Sequence, residues 1–401
     1  MRFYIIAGEA SGDLIGGLLI KALKRQKPDS EIFAWGGEKM EAAGAVIRKH
    51  YRDLAFMGFA EVVKHLPEIR RNFSFCKSDL TAFNPDAIIF IDYPGFNMRM
   101  AHWAKKQSAE KKWKTIYYVA PQAWAWKERR VYALKRDVDL MLCILPFEKD
   151  FFARFNLDVE FVGHPLLDVV DDFKKTKGKR QSTNSYSEME KPYIALLPGS
   201  RKQEIEKNLH IMLGAIFFMP DFNFTIAAAA NQPLSLYTEI IEKYKENNIR
   251  TSNFDDIKVI QGDTYNVLLG AEMAAVKSGT STLEAALFNV PQVVCYRAGR
   301  ISYQIAKRIV KVPFIGLVNL ISEKLIAVEL IQSNFNPIFL AKQLAEAYHH
   351  RFQMQTDYKE LRRKLGSNGA SERAAKSIIQ FVELKEATQT HSNSNRPETQ
   401  I

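Results

Sequence analysis

Asp92 is the residue best placed in this sequence to act as a general base. It is the first charged residue after the apolar run 87–91, in the segment IDYPGFN at 91–97. Such a run predicts a buried β-strand, and a carboxylate at the end of a buried strand is partly desolvated. That setting suits it to take a proton from an attacking hydroxyl group. The alternative is that Asp92 caps the following helix.

Two more carboxylates follow the first apolar run of the chain, at 3–7. The sequence GEASGD at 8–13 contains Glu9, Ser11 and Asp13, and its glycines allow the backbone to approach a ligand. Glu9 and Asp13 would then stand at a strand end, facing a ligand. The spacing is not that of a GxGxxG fingerprint, and a tight turn with a capping aspartate is the alternative.

The segment LPGSR at 197–201 has the composition of an anion-binding loop. It ends an apolar run and precedes a helical pattern. Backbone amides beside Gly199, the Ser200 hydroxyl and the Arg201 guanidinium can together bind a diphosphate. The alternative is a surface turn with a solvated arginine.

The segment KSGTSTLE at 277–284 is a second candidate anion site. Gly279, Thr280 and Ser281 begin a predicted helix, where free N–H groups and the helix dipole favour an anion. Glu284, one turn into the helix, can accept hydrogen bonds from ribose hydroxyls. Ser281 and Glu284 also have the spacing of a capping box.

The segment 59–77 has the pattern of two basic amphipathic helices divided at Pro67. Such a surface can lie on anionic lipid with its apolar face among the headgroups. The alternative is a helix that faces the protein core. The residues predicted to contact a membrane are Phe59, Val62, Val63, Leu66, Ile69, Arg70, Arg71 and Phe73.

Two parallel sheets are needed to position these groups. Short β-branched or aromatic runs alternate with helical patterns as far as about Val294, which is typical of sheets with helices on both faces. The strands predicted in the first half are 3–7, 31–35, 87–91, 115–119, 140–144 and 160–162. Those in the second half are 193–197, 222–229, 257–260, 273–276 and 292–296.

At 401 residues the chain is too long for one ordinary core. We predict an α/β protein with two doubly wound, Rossmann-like domains that face an interdomain cleft, where ligands bind in such folds. The predicted divisions are an N-terminal domain at 1–168, a polar linker or loop at 169–190, a C-terminal domain at 191–350, C-terminal helices at 351–386 and a disordered tail at 387–401.

The composition restricts the partners. Lys and Arg number 56 against 45 Asp and Glu, a net charge of +11 that favours anionic partners. No zinc pattern or aromatic RNA-binding signature accompanies the charge, so nucleic acid is not expected. The sequence has no long uncharged apolar run, so any membrane contact is predicted to be peripheral. The cysteines are widely spaced and predicted to be buried reduced thiols.

Taken together, the motifs resemble the lipid-A-disaccharide synthase family. GEASGD, IDYPGFN, WAW at 124–126, LPFEK at 145–149, GHP at 163–165, LPGSR and SGTSTLEAAL at 278–287 occur in the order seen in that family. Tyr296 and Arg297, LVNL at 317–320 and VELIQ at 328–332 extend the resemblance over about residues 3–344. A series this long is more specific than any single motif.

The resemblance implies a GT-B fold and an inverting glycosyltransferase of lipid A biosynthesis. Such an enzyme joins UDP-2,3-diacylglucosamine to 2,3-diacylglucosamine 1-phosphate and releases UDP. It implies no metal and no cofactor, since positive side chains and helix N-termini stabilise the leaving group. The expected partners are the two lipid sugars and the anionic inner membrane, on its cytoplasmic face. A homo-oligomer is left open.

The resemblance also assigns roles to residues. Asp92 becomes the candidate base or acceptor-orienting group, and Arg201 and Asn319 complete the candidate catalytic set. The family usually has proline before that asparagine, where this chain has Val318. The candidate acceptor-side residues are Glu9, Ser11 and Asp13. The candidate donor-side residues are Ser200, Arg201, Gly279, Thr280, Ser281 and Glu284.

Two rival functions stay open at this point. Another GT-B enzyme, such as a UDP-N-acetylglucosamine transferase or epimerase, would share the fold and the phosphate loop. The 59–77 and GEASGD segments argue against it. A non-catalytic nucleotide-sugar or lipid-binding protein is the alternative from a different class, and the joint presence of Asp92, Arg201 and Glu284 argues against that.

Overall fold

The computed structural model describes residues 1–54, 66–178, 191–247, 254, 256–310 and 312–394. The chain divides into two units. Met1–Pro165 and the chain from Ser367 onward form the first, and Leu166–Gly366 forms the second. Each unit is an α/β unit built on one parallel sheet, which confirms the predicted fold class.

The first unit is built on a seven-stranded sheet. Its strands are β1 (Arg2–Ala7), β2 (Glu31–Gly36), β3 (Val46–His50), β4 (Ala87–Ile91), β5 (Lys114–Tyr118), β6 (Leu140–Cys143) and β7 (Glu160–Phe161). Their order is β3-β2-β1-β4-β5-β6-β7, and every pairing is parallel. β4 is buried along its whole length, because helices cover both faces of such a sheet, and its sequence is accordingly a continuous apolar run.

Helices connect these strands. They are α1 (Ala10–Gln26), α2 (Glu38–Ala42), α3 (Leu66–Phe83), α4 (Pro94–Lys111), α5 (Ala123–Trp126), α6 (Arg130–Asp137) and α7 (Glu148–Ala153). The three cysteines, Cys76, Cys143 and Cys295, are free and buried, as predicted.

The second unit is built on a six-stranded parallel sheet of the order β10-β9-β8-β11-β12-β13. These strands are β8 (Tyr193–Leu197), β9 (Asn223–Ala228), β10 (Lys258–Gln261), β11 (Met273–Lys277), β12 (Gln292–Tyr296) and β13 (Glu329–Ile331). The helices are α8 (Leu166–Gly178), α9 (Lys202–Ala215), α10 (Leu234–Asn247), α11 (Thr264–Leu269), α12 (Ser281–Leu287), α13 (Arg300–Ile309), α14 (Leu317–Ser322), α15 (Pro337–His349) and α16 (Arg351–Lys364).

The last helix, α17 (Ala370–Ser394), returns to the first unit and packs against α1. Ile378 and Val382 are buried there, one turn apart on the same helix face. Lys27 at the end of α1 forms a 2.7 Å ion pair with Glu383. The first unit is therefore built from both ends of the chain.

The predicted strands are confirmed to within one or two residues at their ends, but β3 and β13 were not predicted. β3 is a partly exposed edge strand with the polar sequence VIRKH, and β13 has only three residues. Neither contains the apolar run by which a buried strand is found in a sequence.

The predicted domain divisions differ from the observed units in two places. The linker at 169–190 overlaps α8, and its remainder, 179–190, lies outside the described residues. The C-terminal helices at 351–386 are divided between the units, and α17 continues to Ser394, into the segment predicted to be disordered. The apolar face by which α17 covers α1 is the physical reason for this division.

Candidate active site

The order of the first sheet reverses between β1 and β4, where ligands bind in open α/β sheets. Ala7 at the end of β1 is aligned with Ile91 at the end of β4. Glu9 and Asp92 therefore leave the sheet at neighbouring points. A Cβ atom at Gly8 would lie 2.4 Å from Cγ of Tyr93, so the approach of the Tyr93 ring requires glycine there.

Asp92 and Tyr93 have left-handed backbone conformations, with φ of +41° and +48°. Non-glycine residues adopt this conformation at a cost on the order of 1–3 kcal/mol, and it persists where neighbours hold it. The Tyr117 hydroxyl donates to the Asp92 carbonyl at 2.7 Å, and Asn97 Nδ2 donates to the same oxygen at 2.8 Å. The N-cap of α4 is Tyr93, so Asp92 is not the capping residue of this helix.

Asn97 joins the two strand ends on either side of the switch point. Its side chain is fully buried, and Nδ2 lies 3.2 Å from the carbonyl oxygens of both Ile6 and Ile91. Asn97 belongs to the IDYPGFN motif, but no role was predicted for it from the sequence. The only local sequence signal for this role was an asparagine one turn into the helix that follows the apolar strand.

The three candidates in GEASGD have different environments. Glu9 is the half-buried N-cap residue of α1, and Ser11 is exposed. Asp13 is 2% exposed, and its carboxylate accepts hydrogen bonds from three backbone amides at the start of α2. These amides belong to Gly37 at 2.7 Å, Lys39 at 3.0 Å and Met40 at 3.1 Å. Asp13 thus fixes the N-terminus of α2, and only Glu9 and Ser11 are accessible.

A buried carboxylate, Glu148, anchors the WAW segment beyond β5. Trp124 Nε1 donates to Glu148 Oε1 at 3.1 Å, and the Leu145 amide donates to Oε2 at 3.0 Å. Burial raises the pKa of Glu148 to about 7, these hydrogen bonds oppose the rise, and the charge of Asp92 adds to it. Glu148 and Asp92 are therefore electrostatically coupled. Glu148 belongs to the LPFEK motif, but its contact with Trp124 could not be predicted from the sequence.

Only part of the predicted membrane segment can be located, because Phe59, Val62 and Val63 lie outside the described residues. In α3, Leu66, Arg70 and Arg71 are exposed. Ile69 and Phe73 are half-buried. The Phe73 ring stacks on Phe96 at 4.3 Å, so this side chain packs towards the protein. No helix within the described ranges is both long and apolar enough to cross a bilayer.

The second sheet has the same kind of switch point, between β8 and β11, where Leu197 is aligned with Val276. The two predicted anion-binding segments follow these strands. Arg201 Nη1 donates to Glu204 Oε1 at 3.2 Å, and Lys277 Nζ lies 2.9 Å from the same oxygen. Arg201 is thus ion-paired, and its side chain is 40% exposed, so it stays accessible to an anion. Glu204 and Lys277 were not predicted as site residues.

The loop at Gly199 is held in place by side chains from other segments. Gly199 has φ of +124°, and a Cβ atom there would lie 2.8 Å from Oε2 of Glu204. The Ser200 carbonyl accepts hydrogen bonds from Asn231 Nδ2 at 3.3 Å and Gln232 Nε2 at 3.2 Å. The backbone of this loop is therefore held by hydrogen bonds from side chains of the protein itself.

The loop at Gly279 is open to a ligand on one side. Gly279 has φ of +153°, and a Cβ atom there would meet nothing within 4 Å among the described residues. The Ser278 hydroxyl donates to the Ile315 carbonyl at 2.7 Å, which ties the loop to the rest of the unit. The N-cap of α12 is Thr280, without a side-chain capping bond.

Glu284 does not form the predicted capping box with Ser281. Ser281 is the first residue of α12, and its side chain is hydrogen-bonded to the Glu284 carboxylate instead. The Tyr265 hydroxyl donates to Glu284 Oε1 at 3.2 Å. Burial raises the pKa of Glu284, and these two hydrogen bonds oppose the rise. Glu284 is therefore a half-buried, oriented hydrogen-bond acceptor.

Asn319 is fully buried in α14, and both of its polar side-chain atoms are bonded within the protein. Oδ1 accepts from the amides of Ile326 at 2.8 Å and Ala327 at 2.9 Å. Nδ2 donates to the Ala327 carbonyl at 2.6 Å and to Glu329 Oε1 at 2.9 Å. This geometry favours a positioning role for Asn319 over direct contact with substrate. Val318 lies in the first turn of α14, where a proline would also fit, so the exchange leaves the helix intact.

Two Rossmann-like units with loops at both switch points are the organisation of GT-B proteins, and solved structures share it. A UDP-GlcNAc 2-epimerase from Neisseria meningitidis, bound to UDP-GlcNAc, superposes with a TM-score of 0.62 at 12% identity, over 95% of this chain and 100% of that one. The calicheamicin glycosyltransferase CalG4 superposes with a TM-score of 0.58 at 14% identity, over 95% and 98%. The GT-B fold class is thereby established.

The sequence comparison is more specific. A sequence model of the lipid-A-disaccharide synthetase family matches residues 3–382, and the chain belongs to that family. The lipid-A-disaccharide synthase of Syntrophus aciditrophicus (strain SB) is 35% identical over 387 residues, which cover 94% of this chain and 97% of the relative. The protein is a UDP-sugar glycosyltransferase of lipid A biosynthesis, as the order of its motifs predicted.

Proposed function

We propose that this enzyme transfers the diacylglucosamine group of UDP-2,3-diacylglucosamine to the six-hydroxyl of 2,3-diacylglucosamine 1-phosphate. The acceptor oxygen attacks C1 of the donor sugar, the bond from C1 to the diphosphate breaks, and the configuration at C1 inverts. The proton of the hydroxyl passes to a base, and UDP leaves. The products are lipid A disaccharide 1-phosphate and UDP.

The observation that carries this proposal is the position of Asp92 at the switch point of the first sheet. Asp92 follows a strand that is wholly buried, and its backbone is held in the left-handed conformation by Tyr117 and Asn97. A carboxylate fixed at this edge can take the proton of an attacking hydroxyl. We assign Asp92 as the base, with Glu9 and Ser11 on the acceptor side.

The second unit would hold the donor. Arg201, Lys277 and the open loop at Gly279 supply positive charge and backbone amides for a diphosphate whose negative charge grows as C1 is transferred. Ser200, Thr280 and Ser281 add hydroxyl groups, and Glu284 accepts from the ribose. Asp13 and Asn319 act as positioning residues.

We further propose that the enzyme works at the cytoplasmic face of the inner membrane, through the first turns of α3. Leu66 offers an exposed apolar side chain, and Arg70 and Arg71 offer positive charges to anionic headgroups. The variant Arg70→Ala/Arg71→Ala should lose most of its sedimentation with anionic vesicles. The control Lys21→Ala/Lys106→Ala, which removes two exposed charges elsewhere, should sediment as the wild type does.

The reaction is tested with purified protein and the two acylated sugars in neutral-detergent micelles, without added metal. We expect a disaccharide 1-phosphate and an equal amount of UDP. Release of UDP by hydrolysis alone, or transfer only with unacylated sugars, would contradict the proposed substrates. Formation of a 2-epimer of the donor sugar would instead support the activity named for the structural neighbour.

Two variants distinguish the proposed role of Asp92 in the chemical step from that of Arg201 in donor binding. Asp92→Asn should lower kcat by about 10²–10⁴ and change UDP affinity less than about threefold, because a general base acts only in the chemical step. Arg201→Ala should weaken UDP binding by about tenfold or more. The controls are Asp150→Asn and Lys202→Ala, both at exposed positions. Full activity of Asp92→Asn would remove Asp92 as the base.

A further inference from the structure

Three residues beyond β5 form a group that the reaction described above does not use. The Lys127 ammonium lies 4.3 Å from the centroid of the Trp126 ring, and the Arg130 guanidinium lies 4.8 Å from it. Trp126 is 38% exposed, Lys127 is exposed and Arg130 is half-buried. We call Trp126, Lys127 and Arg130 the basic tryptophan cluster. It carries two positive charges on one accessible aromatic ring.

The segment that carries the cluster is anchored by Trp124, its neighbour in the WAW motif. Trp124 is buried through its hydrogen bond to Glu148 and its edge contact with Phe147, at 5.1 Å between ring centroids. The Lys127 amide donates to the Ala123 carbonyl at 3.2 Å, which closes the short helix α5. Trp124 thus anchors the segment in the core, and Trp126, two residues later, stands at the surface.

The segment of the cluster follows β5, whose last residue, Tyr118, is aligned with Ile91, the residue before Asp92. β5 leads directly into this segment, and the Asp92 amide donates to the Val119 carbonyl at 3.3 Å. Burial lowers the pKa of Arg130, and the charges of Tyr117 and Asp92 oppose that shift. The Arg130 guanidinium is therefore within electrostatic range of the proposed base and is partly stripped of water, a state in which an added anion binds strongly.

The chemistry of the proposed reaction leaves one recognition task unassigned. Donor and acceptor are both diacylglucosamines, and at C1 they differ in carrying a nucleoside diphosphate or a phosphate monoester. An acceptor site must contact that monoester to tell the two apart, and the monoester lies across one sugar ring from the attacking hydroxyl. A pair of cations near the base, but distinct from it, meets this requirement.

We propose that the basic tryptophan cluster binds the phosphate monoester of the acceptor sugar, while Asp92 acts on the hydroxyl at the other side of the ring. Arg130 supplies a planar guanidinium that pairs with two phosphate oxygens, and Lys127 adds a point charge. Trp126 holds both cations in place and offers its ring to the apolar side of the sugar. The inference rests on the proposed function and extends it to acceptor recognition.

The test compares two acceptors, 2,3-diacylglucosamine 1-phosphate and 2,3-diacylglucosamine without phosphate, in neutral-detergent micelles with the same donor. Arg130→Ala and Lys127→Ala should each lower kcat/KM for the phosphorylated acceptor about 10- to 100-fold. They should change kcat/KM for the unphosphorylated acceptor by less than about threefold. Arg130→Lys should recover part of the loss. UDP affinity should stay as in the wild type in every variant.

The matched control is Lys135→Ala, which removes an exposed charge from the helix that begins with Arg130. It should preserve the wild-type ratio between the acceptors. Lys127 is exposed, so its variant keeps the test valid if Arg130→Ala folds poorly. A ratio that stays unchanged in both variants overturns the proposal, and so does an equal loss with both acceptors, since that points to an effect on Asp92 or on the fold.

A membrane phospholipid also carries a phosphate group. Sedimentation with vesicles therefore distinguishes binding of lipid headgroups from binding of the acceptor phosphate. If the variants lose sedimentation with phosphatidylglycerol vesicles but keep the wild-type preference between acceptors, the cluster binds lipid headgroups and the proposal fails. If the wild-type enzyme makes no disaccharide from either acceptor, the proposed function itself fails, and the assignment of the cluster fails with it. That outcome is distinct from an active enzyme whose preference does not change.

Discussion

Lys277 Nζ lies 2.9 Å from Glu204 Oε1, and this ion pair connects the ends of β8 and β11 at the switch point of the second sheet. The same carboxylate oxygen accepts a hydrogen bond from Arg201. One negative charge thus offsets one of two positive charges at the edge where the donor diphosphate is proposed to bind, which leaves a local charge of +1. The net charge met by an incoming anion is set by this arrangement as much as by the LPGSR motif.

Glu204→Gln should therefore raise the affinity for UDP several-fold at low ionic strength, because the local charge rises from +1 to +2. The gain should shrink at high salt, where such interactions are screened. Calorimetric titration at two salt concentrations measures both effects. Glu206→Gln, on the same helix but 46% exposed, is the matched control and should behave as the wild type. Weaker binding in Glu204→Gln at low salt would show that Glu204 chiefly orients the two cations.

Asn319→Ala should destabilise the second unit by about 2–4 kcal/mol, because it leaves buried amides and carbonyls without their partners. Asn319→Asp should destabilise the second unit at least as much, since it would place a second carboxylate beside Glu329. Adding Glu329→Gln should recover part of that loss. Urea denaturation measures the free energy of unfolding. Loss of turnover with unchanged stability would instead make Asn319 a catalytic residue.

Asp13→Ala should destabilise the first unit by about 2–3 kcal/mol through the loss of three hydrogen bonds to the start of α2. KM for the acceptor should change less than about threefold in the folded fraction, because the carboxylate is buried. Denaturation and steady-state kinetics test the two statements. Asp29→Ala, at an exposed position, is the control. A large rise in acceptor KM at unchanged stability would restore Asp13 to the acceptor site.

Glu148 should make stability depend on pH. Folding raises the pKa of its carboxyl from 4.5 to about 7, so the folded protein binds the proton more tightly than the unfolded chain does. This contribution is complete below pH 4.5 and is lost as the pH rises to about 7, with a size of about 1–3 kcal/mol. The stability of Glu148→Gln relative to the wild type should therefore increase from pH 5 to pH 8. Thermal unfolding across this range measures it.

The matched control for that experiment is Glu110→Gln, at an exposed position of α4. Its stability relative to the wild type should stay constant over the same pH range. A constant difference for Glu148→Gln as well would show that the buried carboxyl keeps its ordinary pKa.

The positions of the strands and of most site loops could be predicted because their signals are local. A wholly buried strand such as β4 is a continuous apolar run, and the first polar residues after it stand at the edge of the sheet. That rule located Asp92 and the segments that contain Arg201 and Gly279 after strand ends. It could not locate β3, whose polar residues reflect its place at the edge of the first sheet.

The sequence alone determined the class of this protein, because the alternation of apolar runs and the order of the motifs can be recognised without knowing any tertiary contact. The tertiary structure alone decided what individual polar side chains do. Asp13 accepts its hydrogen bonds from residues 24 to 27 positions away, and Glu204 meets Lys277 from another strand end. Burial and pairing depend on which distant segments pack together, and a local pattern does not contain that information.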